Sequence, residues 1–164
     1  YGMGFDAQLL SMMREGGWER EPEAMVARCI SIKAAVVAAD ERDQAERQKL
    51  NLGHTAAHAI ERCSGLGITH GRAVAIGTAL IARACVKRGM LSHEALALLE
   101  EALDRCGLES RCAFSAQELA AAAVNDKKRR GDSITLVLPA TAGSCVLHPM
   151  PAAELEGFFA DGLN

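Results

Sequence analysis

Aromatic residues make up only 4% of this 164-residue chain, and it holds only four prolines. With so little of either, leucine, isoleucine, valine and alanine carry the apolar mass, and few positions forbid helix. An excess of charge of one sign is also missing. The 18 Lys+Arg nearly balance 21 Asp+Glu, for a net charge of −3. That is too close to neutral to wrap nucleic acid by counterion release or to coat an anionic membrane, so positive charge acts only locally. No apolar run is long and uninterrupted enough to span a bilayer. The start, Tyr1-Gly2-Met3-Gly4, has no initiator Met, no basic segment and no apolar core of a signal peptide, and is expected to be a truncated start. The six cysteines form no C-x-x-C pair. They are expected to be reduced structural thiols in a cytoplasmic protein, and they offer no zinc site of their own.

What is present is 49% hydrophobic residues, enough for one well-filled core over residues 1–164 and barely enough for two. From Glu23 to Asp40, Met25, Val26, Cys29, Ile30, Lys33, Val36 and Val37 recur at three- and four-residue spacing, which predicts an amphipathic helix. Arg42 to Arg47 is a polar turn or helix end. A second helix is expected over Leu50 to Cys63, stopped at Ser64-Gly65-Leu66-Gly67. Ala73 to Gly89 is apolar almost throughout and predicts a helix buried on most sides. Ser92 caps a helix ending at Gly107, and Ser115 with Glu118 forms a capping box for a helix to about Val124. Two short β-branched runs, Ser133 to Pro139 and Ser144 to Leu147, predict a hairpin, and Pro151 to Phe159 returns to helix. The fold class is therefore mainly α, one multi-helical domain with a small β-hairpin.

The chemistry gathers in Asn51-Leu52-Gly53-His54-Thr55-Ala56-Ala57-His58-Ala59-Ile60-Glu61, followed by His70-Gly71. His54 and His58 are four residues apart and share one helix face. Neutral imidazole is a good zinc ligand, and a catalytic zinc commonly takes three protein ligands and an open position. A plainer reading, histidines on a helix surface or hydrogen-bonded in the core, fits the spacing equally well, and spacing does not say which two of the three would bind metal. Lys33 falls among apolar neighbours, where a lysine either lines a cleft or snorkels to solvent. Arg47, Asn51, Lys127 and Lys128 add separated polar groups suited to a small, oxygen-rich anionic substrate. The run Asp126 to Arg130 reads equally as a solvated charge cluster at a helix end.

Leu50-Asn51-Leu52-Gly53-His54-Thr55, His58-Ala59-Ile60-Glu61, His70-Gly71 and Ala73-Val74-Ala75 together resemble the metal-binding signature of 3-dehydroquinate synthase, a sugar-phosphate cyclase. The likeness extends upstream through Lys33-Ala34, Val36-Val37 and Asp40-Glu41 to Arg47, and downstream through Asp126-Lys127-Lys128, Gly131 and the Ile134 to Pro139 strand. The resemblance implies an N-terminal Rossmann-like domain that binds NAD, lying outside this chain, and a C-terminal helical domain that is this chain. It implies conversion of the sugar phosphate 3-deoxy-D-arabino-heptulosonate 7-phosphate to 3-dehydroquinate and phosphate, in the shikimate route to aromatic amino acids. It implies that His54 and His70 bind Zn2+ or Co2+, and that His58 assists proton transfer. Lys33, Arg47, Asn51 and Lys127, in preference to Lys128, would hold the substrate, with Lys33 and Asn51 also counted in the catalytic set. A homodimer follows from the family alone. Three departures stand out: Arg72 in place of an acid after the His-Gly pair, Ala56-Ala57 in place of an aromatic-glycine pair, and a third ligand, a Glu, expected upstream of Tyr1. The isolated domain is therefore expected to be inactive with weak metal binding. A related cyclase and a degenerate, non-catalytic helical domain are the alternatives.

Overall fold

The computed structural model describes residues 1–40, 46–127 and 132–163, excepting the side chains of residues 125–127. Three short helices open the chain, α1 (Gly2–Phe5), α2 (Ala7–Arg14) and α3 (Gly17–Arg20), followed by the long α4 (Pro22–Ala39). A 3-10 helix (Glu46–Asn51) leads into α5 (His54–Cys63), α6 (His70–Lys87), α7 (His93–Arg105) and α8 (Ala116–Lys127). Strands β1 (Ser133–Thr141) and β2 (Ser144–Pro151), a 3-10 turn and α9 (Leu155–Leu163) complete the chain. Among the described residues no helix is long and apolar enough to cross a membrane.

The near-continuous apolar run of α6 makes it the central post. Ala73, Ala75, Ile76, Gly77 and every residue from Ala79 to Cys85 are buried. α5, α7, α9 and β1 all pack on it. Small residues let two neighbours approach very closely: Gly162 of α9 faces the Leu80 carbonyl, and Gly77 faces the Gly53 carbonyl. The hairpin pairs Ile134 with Met150 and Leu138 with Val146, antiparallel. Its Gly143 N–H donates to the Met3 carbonyl at 3.0 Å, tying the turn to α1.

The caps read from sequence form. Ser92 Oγ accepts from the Ala95 N–H, and Ser115 and Glu118 bond reciprocally. All six cysteines are free. Arg83 is the one buried charged residue among the described residues. Its guanidinium reaches Glu100 Oε1 and the carbonyls of Gly162 and Ser110, so one side chain joins α6, α7, α9 and the loop before α8.

Three expectations shift. The helix expected from Leu50 starts at His54, because Gly53 adopts φ 79°, a left-handed conformation that ends the 3-10 turn and starts a new axis. α4 forms where the spacing placed it, but of its residues only Met25 is buried, with Val26 45% and Ile30 63% exposed. Met25 packs beside Gly17 of α3, and the rest of the apolar stripe is half-buried or exposed. Lys33 on this helix is exposed, in keeping with a lysine that reaches solvent. The polar stretch from Arg42 lies outside the described residues up to position 45, and beyond that it forms the 3-10 helix.

Candidate metal and substrate site

Two glycines set the distance between the helices that carry the histidines. A Cβ on Gly53 would press into Thr78 Oγ1 and stand 2.7 Å from the Thr78 nitrogen; a Cβ on Gly77 would overlap the Gly53 oxygen and stand 2.9 Å from the Ala57 nitrogen. Neither position accepts a side chain without moving backbone, so the start of α5 rests directly on α6. The buried alanines Ala56 and Ala57 continue this close contact along α5.

With the helices so placed, the three imidazoles converge. Ring centroids lie 5.2 Å apart for His54 and His70, 5.8 Å for His54 and His58, and 6.0 Å for His58 and His70. Glu61 joins them. One ligand atom each from His58, Glu61 and His70 lie within 4.8 Å of one another. Glu61 was not among the site residues read from the sequence, although its spacing carried a signal: positions 54, 58 and 61 fall at i, i+4 and i+7 on one helix face.

The hydrogen bonds distinguish the three rings. His54 Nδ1 lies 3.2 Å from the Leu52 carbonyl oxygen, and His70 Nδ1 lies 3.0 Å from Glu61 Oε1. A carbonyl and a carboxylate oxygen accept, so in both rings Nδ1 is the donor and Nε2 is the nitrogen outside this bond. That is the state in which histidine binds a metal, with its other nitrogen held by an acceptor. Among the described residues, the His58 ring nitrogens show no such bond. Burial, above all, holds the His54 pKa below its usual 6.5, with the neighbouring His70 and His58 acting in the same direction and the Leu52 carbonyl and Glu61 opposing it. The ring is neutral at pH 7, as a ligand must be. Two imidazoles with free Nε2 atoms beside a carboxylate suit Zn2+ or Co2+ in donor type.

His54 also lines a cleft of about 640 Å³, together with Lys33 of α4, Arg47, Lys49 and Asn51 of the 3-10 helix, and Gly71 of α6. Lys33, Arg47, Asn51 and His54, named from sequence as separate candidates, thus share one cavity. Lys49 is engaged by Glu46 at 2.8 Å. The Arg47 backbone N–H donates to Asp40 Oδ2 at 3.2 Å, which ties the 3-10 helix to the end of α4. Lys127 ends α8, its side chain beyond description, and Lys128 lies outside the described residues. Arg72 is exposed and sits two residues after His70 on α6. Residues two apart leave a helix on nearly opposite sides, so Arg72 and His70 do not share a face of α6.

This is a helical domain in which one histidine of a three-histidine cluster lines a cleft with Lys33 and Arg47, and its fold is shared by solved synthases. The structure matches 2-epi-5-epi-valiolone synthase from Streptomyces hygroscopicus, solved with NAD+ and Zn2+ bound, with a TM-score of 0.81 at 19% identity, over 98% of this chain and 48% of that one. It also matches 2-deoxy-scyllo-inosose synthase, solved with carbaglucose-6-phosphate, NAD+ and Co2+, with a TM-score of 0.68 at 22% identity, over 88% of this chain and 42% of that one. Residues 1–129 match the family profile described as 3-dehydroquinate synthase C-terminal, and the chain belongs to that family. Named relatives agree. The 3-dehydroquinate synthase of Pyrobaculum neutrophilum is 36% identical over 166 residues, spanning 95% of this chain and 48% of its own. That of Rhodopseudomonas palustris is 39% identical over 158 residues, spanning 88% and 41%. The chain thus covers less than half the length of these relatives.

Proposed function

We propose that this chain is the metal- and substrate-binding lobe of a 3-dehydroquinate synthase, a lyase that converts 3-deoxy-D-arabino-heptulosonate 7-phosphate to 3-dehydroquinate and phosphate. The observation that carries the reading is the pairing of His54 and His70, each with Nδ1 engaged and Nε2 free, at the edge of a cleft lined by Lys33, Arg47 and Asn51. His54 and His70 hold Zn2+ or Co2+ through Nε2. An N-terminal NAD-binding domain completes the enzyme, which works as a homodimer in the cytoplasm, where its six thiols stay reduced. Bound in place, the metal supplies Lewis acidity toward a substrate hydroxyl and NAD supplies a hydride acceptor.

The chain's own residues do the rest. Lys33, Arg47 and Lys127 hold the substrate's carboxylate and phosphate by charge-assisted bonds, and Asn51 holds a hydroxyl. Fixing the substrate in this way lowers the entropic part of the barrier. His58, exposed and beside the other two rings, takes and returns a proton at a substrate oxygen. The test is turnover by the intact protein with NAD and zinc or cobalt, following phosphate release and 3-dehydroquinate formation. Stoichiometric metal with turnover of the heptulosonate phosphate is expected. Metal with turnover of only another sugar phosphate would make it a related cyclase, and neither metal nor turnover would leave a non-catalytic domain.

A further inference from the structure

Glu61 is the acidic residue of the histidine cluster, and it can take one of two parts there. One ligand atom from it lies within 4.8 Å of ligand atoms on His58 and His70, which would allow it to bind a metal directly. Its Oε1, however, is committed to His70 Nδ1 at 3.0 Å. That contact needs a proton between the two atoms, so a metal could not take this oxygen and His70 Nδ1 together without displacing it, whereas His70 Nε2 takes no part in the bond. The carboxylate is 18% exposed, whereas the His70 ring it holds is 55% exposed. The more fixed partner therefore steers the more mobile one. An exposed imidazole at the first position of a helix has little else to choose its rotamer or its tautomer.

We infer that Glu61 is the positioning residue of this site: its carboxylate accepts the Nδ1 proton of His70, orients the ring, and leaves Nε2 as the metal-binding atom without itself entering the coordination shell. This rests on the reading that His54 and His70 hold the metal. Glu61 matches for His70 what the Leu52 carbonyl does for His54. The difference is that one anchor is backbone and the other is a side chain, so only the His70 half can be removed by substitution. An anionic acceptor also makes the imidazole a more basic ligand.

The experiment uses Glu61→Ala and Glu61→Gln in the intact protein, with circular dichroism confirming the fold. In Glu61→Gln the side-chain amide oxygen would still accept from His70 Nδ1. Without added metal, long-range 1H–15N NMR is expected to show His70 protonated at Nδ1 in the wild type and in Glu61→Gln, and shifted toward the Nε2-protonated form in Glu61→Ala. Zinc affinity, measured by competition with a chromophoric chelator, is expected to fall about 10- to 100-fold in Glu61→Ala and less than about tenfold in Glu61→Gln. The cobalt absorption spectrum should keep its shape in both, because the ligand set is unchanged. Equal loss in both variants with an altered cobalt spectrum would make Glu61 a direct ligand and overturn the inference. Unchanged affinity and tautomer in Glu61→Ala would overturn it as well. A wild-type protein that binds no zinc overturns the metal-site reading itself, an outcome seen before any variant is made.

Discussion

Replacing Gly77 by alanine sets two effects of opposite sign against each other. Alanine is the better helix former by about 1 kcal/mol, so on propensity alone the variant would be more stable. The added Cβ would overlap the Gly53 oxygen and stand 2.9 Å from the Ala57 nitrogen, where ordinary contact begins at 3.4 Å. Both obstacles are backbone atoms, so no rotamer change relieves them and α5 must move off α6 by most of an ångström. Such overpacking costs about 3 kcal/mol or somewhat less, and a gap of that size forfeits part of the dispersion energy of the Ala56 and Ala57 contacts. The net is a loss of about 2 kcal/mol, read as a fall of about 1 M in the urea midpoint. Gly71→Ala is the internal control. It lies on the same helix with nothing within 4 Å of the built Cβ, and should be neutral or slightly stabilising. Because Gly53 immediately precedes His54, Gly77→Ala should also weaken zinc binding, while Gly71→Ala leaves His54 in place. A Gly77→Ala protein as stable as Gly71→Ala would refute the claim that this glycine contact sets the spacing of the two helices.

Arg83→Met removes three hydrogen bonds at once and strands the carbonyls of Ser110 and Gly162 near the base of α6. It should cost about 2 to 4 kcal/mol by chemical denaturation, where truncating the exposed Arg14 costs almost nothing. Asp6 caps α2 and pairs with Arg28, whose hydrogen bond holds the carboxyl below its usual 3.8. The stabilisation from this pair is complete above that ordinary value and is lost as the pH falls through the lower folded value. Asp6→Asn, which keeps the cap, should therefore be less stable than wild type by up to about 1 kcal/mol at pH 7. The two urea midpoints should converge as the pH is lowered toward about 2; a gap that persists there would exclude the ion pair as its cause. Burial pushes the Cys85 and Cys145 thiols up to about 11, so at a pH of about 8 a disulfide reagent should modify them only after unfolding.

Signals that act locally were legible in the sequence. Ser92, Ser115 and Glu118 act on their own helix ends, and caps of this kind are written within four residues. The apolar run of α6 and the β-branched run from Ile134 to Leu138 likewise report their elements directly. The short helices before Pro22 went unread, because four- to eight-residue helices carry too few turns for a period to stand out and are held by packing against α7 and the hairpin. The stripe on α4 was legible and its exposure was not, since periodicity says which residues would be buried together and nothing about what covers them.

The site divides along the same line. His54 and His58 could be placed on one face from their spacing, but the choice among the three histidines depends on acceptors that spacing does not contain. One is a backbone carbonyl two residues before His54; the other is a carboxylate nine residues before His70, on a different helix. Gly53 and Gly77 are 24 positions apart, and each alone reads as a helix breaker or a weak helix former. Their contact seats the start of α5 on α6, where the His54 and His70 rings lie 5.2 Å apart. The residue types suited to metal are thus declared locally, whereas the nitrogen each ring leaves open is decided by its acceptor, a near backbone carbonyl for His54 and a carboxylate on another helix for His70. A substitution at Gly77 or Glu61 should therefore damage the site as surely as one at a ligand, and through a different observable: helix spacing in the first case, imidazole tautomer in the second.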